Sequence, residues 1–136
     1  MHDPDCLFCK IAAGEIPATR VREDERTIAF MDINPATRGH LLVIPREHAA
    51  GLIDVGAEDL TACALAAQEL AGRVKERLGA DGVNVLNSCG RDAWQTVFHF
   101  HLHVIPRYVG DPLRLPWLPQ PGDRDEIAAA AAALVG

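Results

Sequence analysis

Residues 98–105 read Phe-His-Phe-His-Leu-His-Val-Ile, so His99, His101 and His103 alternate with apolar residues. No other stretch narrows the fold as much. Period-two alternation is the mark of a β-strand, whose successive side chains point to opposite faces. The three imidazoles then share one face at steps of roughly 6–7 Å. Phe98, Phe100, Leu102 and Val104 share the other and need a core to cover them. Crowded or buried imidazoles cost desolvation unless each has a partner, so a purely structural strand would need three partners. Two chemical readings compete with that one. Imidazoles at i and i+2 can share a zinc ion. A neutral imidazole can also attack phosphorus, splitting one hard displacement into two through a phospho-imidazole.

The rest of the chain frames this strand. "CKIAAGEIP" reads as a short helix closed by Gly14 and Pro17, and "TRVREDERTIAFMDI" as two short strands joined by a charged turn at Glu23–Arg26. "HLLVIPREH" follows as a buried strand broken at Pro45. From Ala57 to Leu78, Leu60, Cys63, Ala67, Leu70, Val74 and Leu78 recur at three- and four-residue steps, the apolar stripe of an amphipathic helix. Glu58 and Asp59 suit its positive end and Gly79 its stop. "GVNVLNS" is the fourth strand, "CGRDAWQ" a loop, and "TVFHFHLHVIPRY" the fifth and longest strand. A Pro-rich segment, Pro112–Pro121, precedes a final helix with Asp123 as N-cap and Glu126 in capping-box position. Five strands with one long helix between the third and fourth do not alternate as repeated βαβ units would. The expected class is α+β, with a mostly antiparallel five-stranded sheet and its helices, one long and the terminal ones short, on one face.

At 136 residues the chain suits one domain spanning 1–136, with 108–136 an irregular segment plus helix. Net charge of −6 argues against a general electrostatic hold on nucleic acid, while a small anion still fits a few local donors. No run is long and apolar enough to span a bilayer. The acidic N-terminus does not read as a signal peptide, so the expected compartment is the cytoplasm, with no membrane partner.

"HFHLHVI" fits, at every position, the His-φ-His-φ-His-φ-φ pattern of the histidine triad family, where φ is apolar. The resemblance continues outside it. "CLFCKIAAGEIPATRVREDERTIAFMDINPATRGHLLVIPREH" resembles the family's N-terminal half, in the branch of histidine triad nucleotide-binding proteins. "NVLNSCGRDAWQTVFHFHLHVIP" resembles its catalytic half.

That resemblance implies a hydrolase or nucleotidyl transferase acting at the α-phosphate of purine nucleotide derivatives. Candidate substrates are adenosine 5′-phosphoramidates, aminoacyl-adenylates and dinucleoside polyphosphates. His101 matches the nucleophile, His103 the phosphate-side donor and His40 the supporting histidine. Thr96 and Gln95 match the loop that meets the phosphate or leaving group, and Asn87 a sugar–phosphate contact. Asp32 would accept from the ribose, and Leu7, Phe8, Ile11, Phe30 and Ile33 would enclose the base. Alone, the Cys6–Cys9 C-x-x-C pair is a weak signal, and zinc needs two further ligands. Bacterial-type relatives complete a structural zinc site with two histidines, whose matching positions are His48 and His99. Cys63 falls on the helix stripe and reads as core. Relatives of this length are homodimers, and Trp117 resembles a tryptophan that reaches the partner's site. One departure stands out: Trp94 occupies a position that is often glycine in relatives, so the loop is expected to bend differently or to use the indole as a wall for the leaving group. Two rival readings are a metallohydrolase with zinc on all three strand histidines, and a non-enzymatic AMP-binding adaptor.

Overall fold

The computed structural model describes residues 2–114 and 116–136. In chain order the elements are α1 (Leu7–Ala12), β1 (Arg20–Glu23), β2 (Thr27–Met31), β3 (Leu41–Pro45), α2 (Ala57–Leu78), β4 (Gly82–Leu86), a 3-10 turn at Arg91–Ala93, β5 (Leu102–Arg107) and α3 (Arg124–Leu134). The strands form one five-stranded sheet, ordered β1-β2-β3-β5-β4, with every neighbouring pair antiparallel. This is the α+β class expected from the sequence.

Both faces of the central strands are covered, which explains why β2 and β3 read as continuous apolar runs rather than alternating ones. Ala29, Leu41, Val43, Phe100 and Val104 point toward α2, where Cys63, Ala66, Ala67, Leu70 and Val74 bury the predicted stripe. The opposite side of the same strands, Ile28, Phe30, Leu42 and Ile44, packs against Phe8 and Ile11 of α1. Two layers of helix thus sandwich the sheet, whereas the sequence reading placed the helices on one face. The six-residue α1 is too short to hold its shape alone, and its packing on the sheet supplies the difference.

The α2 bounds match the predicted ones, and the helix ends at Gly79 in the left-handed conformation, φ 70°. Asp123 caps α3 by accepting from the Glu126 amide. The helix near the N-terminus begins earlier than expected, at Leu7, because Cys6 serves as its N-cap. The expected longest strand is shorter: β5 begins at Leu102. Its neighbour β4 ends at Leu86, opposite His103, so residues before Leu102 lose the ladder on that side, while the Phe100 amide donates to the Ala49 carbonyl at 2.7 Å. The side-chain alternation nevertheless persists through the extended segment. Phe100 and Val104 lie in the α2-side core, while His99, His101 and His103 face the α1 side. Phe98, expected in the core, is instead 40% exposed, at the point where the segment leaves the sheet.

Candidate active site

A cavity of about 370 Å³ opens between α1 and the histidine-bearing face of the sheet. His101 and His103 stand in its wall with Thr96, Asp32, Leu7, Phe8, Ile11, Phe30 and Ile33. The fold thus brings together nine of the residues singled out in the sequence. Ile33 is at the mouth, 91% exposed. The wall also includes Ile16, Pro17, Ala18, Met31, Asn34, Leu42 and Val97, which the sequence reading did not identify. Ile16–Ala18 form the turn after α1, whose place over the sheet no local pattern encodes; Leu42 and Met31 carried a signal, being alternates of buried strands.

His101 is 5% exposed, and its Nδ1–H donates to the His99 carbonyl at 2.7 Å. A neutral imidazole so bonded carries its lone pair on Nε2. Asn87 donates through Nδ2 to the His101 carbonyl at 2.9 Å, fixing the same residue from the other side. Phe8 lies edge-on to the His101 ring at 5.1 Å between centres. Burial holds the His101 pKa below the ordinary histidine value, and the His99 carbonyl bond and Asp32 only partly oppose this.

A second chain of bonds sets His103. The Ala36 amide donates to His40 Nδ1 at 2.9 Å. His40 therefore carries its proton on Nε2, which lies 2.9 Å from His103 Nδ1. His103 accepts there, and its own proton falls on Nε2. Burial keeps this ring neutral too, with a pKa pushed down to about 4. Asp32 Oδ2 lies 3.5 Å from His40 Nε2, and its other oxygen accepts from the Asn34 amide at 2.8 Å. His40 itself is behind His103 rather than on the cavity wall, which makes it a support.

Gln95 and Asn87 do not line the cavity. Both amide atoms of Gln95 are spent inside the loop: Oε1 accepts from the Gly90 amide at 2.8 Å, and Nε2 donates to the carbonyls of Ala50 and Val97 at 2.7 and 3.0 Å. Gln95 braces the loop that presents Thr96. Trp94 closes the turn in the left-handed conformation, φ 73°, with its side chain 72% exposed. The backbone at this position thus has the conformation that favours glycine, and the indole is in the wall of neither this cavity nor the next. Trp117 is 65% exposed and belongs to neither this cavity wall nor the next.

Cys6, Cys9, His48 and His99 converge beside this site, with all four ligand atoms within 4.8 Å of one another. Cys6 Sγ is 3.4 Å from His99 Nδ1, and Cys9 Sγ is 3.5 Å from Nδ1 of both His99 and His48. Tetrahedral zinc with ordinary Zn–S and Zn–N bonds separates a sulfur from a nitrogen by about 3.6 Å, so the four donors fit that ion. Their surroundings fit as well. His99 Nε2 lies 2.8 Å from the Pro45 carbonyl, which fixes the proton there and leaves Nδ1 free to ligate. The amides of Asp3 and Cys9 donate to the sulfurs of Cys9 and Cys6. Burial holds the His99 ring neutral, with a pKa of about 4, and pushes the Cys9 thiol up, so a cation is what would hold that sulfur as a thiolate. Cys63 is simply core, its thiol pushed up to about 12 by burial.

The three strand histidines do not point at one ion. His99 turns Nδ1 to the cysteines, while His101 and His103 use theirs for the His99 carbonyl and for His40. Asp32, His40 and His103 also lie within 4.8 Å of one another. There, however, the Ala36 amide takes the His40 Nδ1 lone pair and so protonates the nitrogen that a cation would need.

A family model for the HIT domain matches residues 13–110. The crystal structure of a Streptococcus mutans protein superposes with a TM-score of 0.91 at 36% identity, covering 97% of this chain and 84% of that one. A Zn-bound histidine triad family protein from Mycobacterium smegmatis is 44% identical, with a TM-score of 0.78 and coverage of 96% and 95%. The histidine triad nucleotide-binding protein of Candida albicans is 32% identical, with a TM-score of 0.84 and coverage of 96% and 94%.

Proposed function

The chain belongs to the HIT domain family, and on that premise we propose that it is a nucleotide hydrolase or nucleotidyl transferase working through a covalent intermediate on His101. The observation that carries this is the bond from His101 Nδ1 to the His99 carbonyl, which leaves a neutral Nε2 as nucleophile in the cavity wall. The nucleoside lies along Phe8, Ile11 and Phe30, with its ribose hydroxyls on Asp32. Likeness to a solved nucleotide-binding relative supports this placement.

The Nε2 lone pair of His101 attacks the α-phosphorus. The bond from phosphorus to the leaving atom breaks, and that atom departs with the electron pair and takes up a proton, for which the Thr96 hydroxyl is the nearby relay. Charge on the phosphoryl oxygens meets the Nε2–H of His103, a donor set in advance by His40 and Ala36. Water or an acceptor hydroxyl then attacks phosphorus, loses its proton, and returns His101 as leaving group. The substrates are purine nucleoside 5′-phosphoramidates, adenylates or dinucleoside polyphosphates.

Cys6, Cys9, His48 and His99 would hold a structural zinc ion, a reading supported by their spacing and by the zinc-bound relative. Four protein ligands close its coordination, so it would supply a tie between α1 and the catalytic segment. The protein would act as a homodimer joined at the β4 edge and the outer face of α2, where Val85, Leu86 and Leu65 are exposed at 48%, 40% and 60%. Steady-state hydrolysis of adenosine 5′-phosphoramidate tests the activity. Binding of AMP without turnover of any such substrate would favour a non-enzymatic adaptor instead.

A further inference from the structure

The short helix α1 serves two sites at once. Cys6, its N-cap, and Cys9, in its first turn, bring their sulfurs to His99 and His48. Leu7, Phe8 and Ile11 of the same helix line the catalytic cavity. Phe8 lies edge-on to Phe30 and His101, at 5.4 and 5.1 Å between ring centres. Six residues do not hold a helix by their own hydrogen bonds. The C-terminal end of α1 is tied by Arg20, whose guanidinium donates to the Ile11 carbonyl at 2.7 Å. The N-terminal end is tied to the histidine segment through the two sulfurs.

The sulfurs differ in access. Cys6 is half-buried and stands in the wall of a second cavity, of about 490 Å³, beside His48 and Phe98. Cys9 is fully buried. The two lie three residues apart across one helical turn, with their sulfurs within 4.8 Å of each other. Each sulfur accepts from a backbone amide, Cys6 from that of Cys9 and Cys9 from that of Asp3, which steadies negative charge on it. The other two thiols are placed differently: Cys63 is sealed in the core under α2, and Cys89 Sγ lies against Gly51. An oxidant entering the second cavity therefore meets Cys6 first, with Cys9 as the neighbouring thiol.

We propose that Cys6 and Cys9 are a reversible oxidation site, whose disulfide dismantles the four-donor cluster and loosens the hold of α1 on the nucleotide; the second effect rests on the nucleotide-binding reading above. The oxidant is a hydroperoxide. The Cys6 thiolate attacks its outer oxygen, the O–O bond breaks, and the departing alkoxide or hydroxide takes up a proton, leaving Cys6 as a sulfenic acid. The Cys9 thiolate then attacks the Cys6 sulfur, the S–O bond breaks, and hydroxide leaves and takes up a proton. The two thiolates have lost two electrons and the hydroperoxide has gained them. A thiol reductant restores both sulfurs by exchange. The new bond draws the sulfurs to about 2.05 Å, away from the His48 and His99 nitrogens. Neither sulfur is then a thiolate able to hold zinc. The first turn of α1 moves with them, and it carries Leu7 and Phe8.

The test treats the full-length, zinc-loaded protein with hydrogen peroxide. Peptide mass mapping should find Cys6 joined to Cys9 and Cys63 still reduced, and a metal-indicator dye should register release of the zinc. The Kd for AMP, measured by calorimetry, should rise by about tenfold. Dithiothreitol with added zinc should restore the starting Kd. Cys89→Ala should respond as the wild type does. Zinc retained with both thiols free overturns the switch and leaves the nucleotide reading standing. So does a disulfide with released zinc and an unchanged Kd, or a response lost in Cys89→Ala. No binding of AMP before oxidation overturns the nucleotide reading itself, and the switch with it.

Discussion

The carbonyl oxygen of His99 lies 2.7 Å from Nδ1 of His101. One residue thus closes the cysteine–histidine cluster with its ring and sets the tautomer of the nucleophile with its backbone. The two halves of the site are joined through a single peptide segment, and disturbance of either half is expected to be felt in the other.

The His40–His103 bond at 2.9 Å makes a prediction that separates support from folding. His40→Ala removes the donor that fixes His103 and should lower kcat by about 10–100-fold, with little change in KM. His40→Gln keeps an N–H for His103 Nδ1 and should recover part of that loss. Equal kcat for the two variants would show that the tautomer chain is unimportant.

Metal content is a second handle. The purified protein should carry one zinc ion per chain, and cobalt substitution should give the absorption bands of a tetrahedral site with two thiolates. Chelation, or Cys9→Ser, should lower Tm by roughly 5–10 °C. A chelated protein with an unchanged Tm would contradict a structural role for the four donors.

His103 dictates a direction with pH. Its folded pKa of about 4 lies below the ordinary value near 6.5. Between those values the unfolded chain binds more protons than the folded one, so stability rises with pH across that window and falls as pH drops through it. Denaturation midpoints of the wild type should therefore decline from about pH 6.5 toward 4, and His103→Asn should flatten part of that slope. A slope identical in both proteins would remove His103 as its source.

Trp94 sits at φ 73° with an exposed indole. A side chain in the left-handed region costs about 1–2 kcal/mol relative to the right-handed one, and glycine escapes that cost while losing some chain entropy. Trp94→Gly is expected to stabilise the fold by about 0.5–1 kcal/mol, read as a rise in the urea midpoint. A destabilised variant would mean that the indole holds the loop in place.

Much of this was legible in the chain before any coordinates, and the reasons are local. The α2 stripe is long and periodic, so its ends at Ala57 and Leu78 could be read directly. The alternation at 98–105 sorts histidines from core, because side-chain direction follows the backbone even where no ladder forms. What was not legible depends on distant segments. The extent of β5 is set by where β4 stops, at Leu86 opposite His103, and Phe98 lies beyond that end, 40% exposed. The brace made by Gln95 depends on Ala50, 45 residues away, and the turn at Ile16–Ala18 becomes cavity wall only once α1 is laid across the sheet. The His40 tautomer rests on one backbone amide, that of Ala36, which no residue pattern announces.

The covalent step on His101 is tested most directly by acid-labile adduct trapping. Wild type and His101→Ala are mixed with labelled adenosine 5′-phosphoramidate, quenched within one turnover and digested for peptide mass analysis. Wild type should carry one adenylyl group on the peptide containing His101, and His101→Ala should carry none and hydrolyse the substrate at least about 10³-fold more slowly. Undiminished hydrolysis by His101→Ala, or an adenylyl group on another residue of the wild type, would contradict the mechanism.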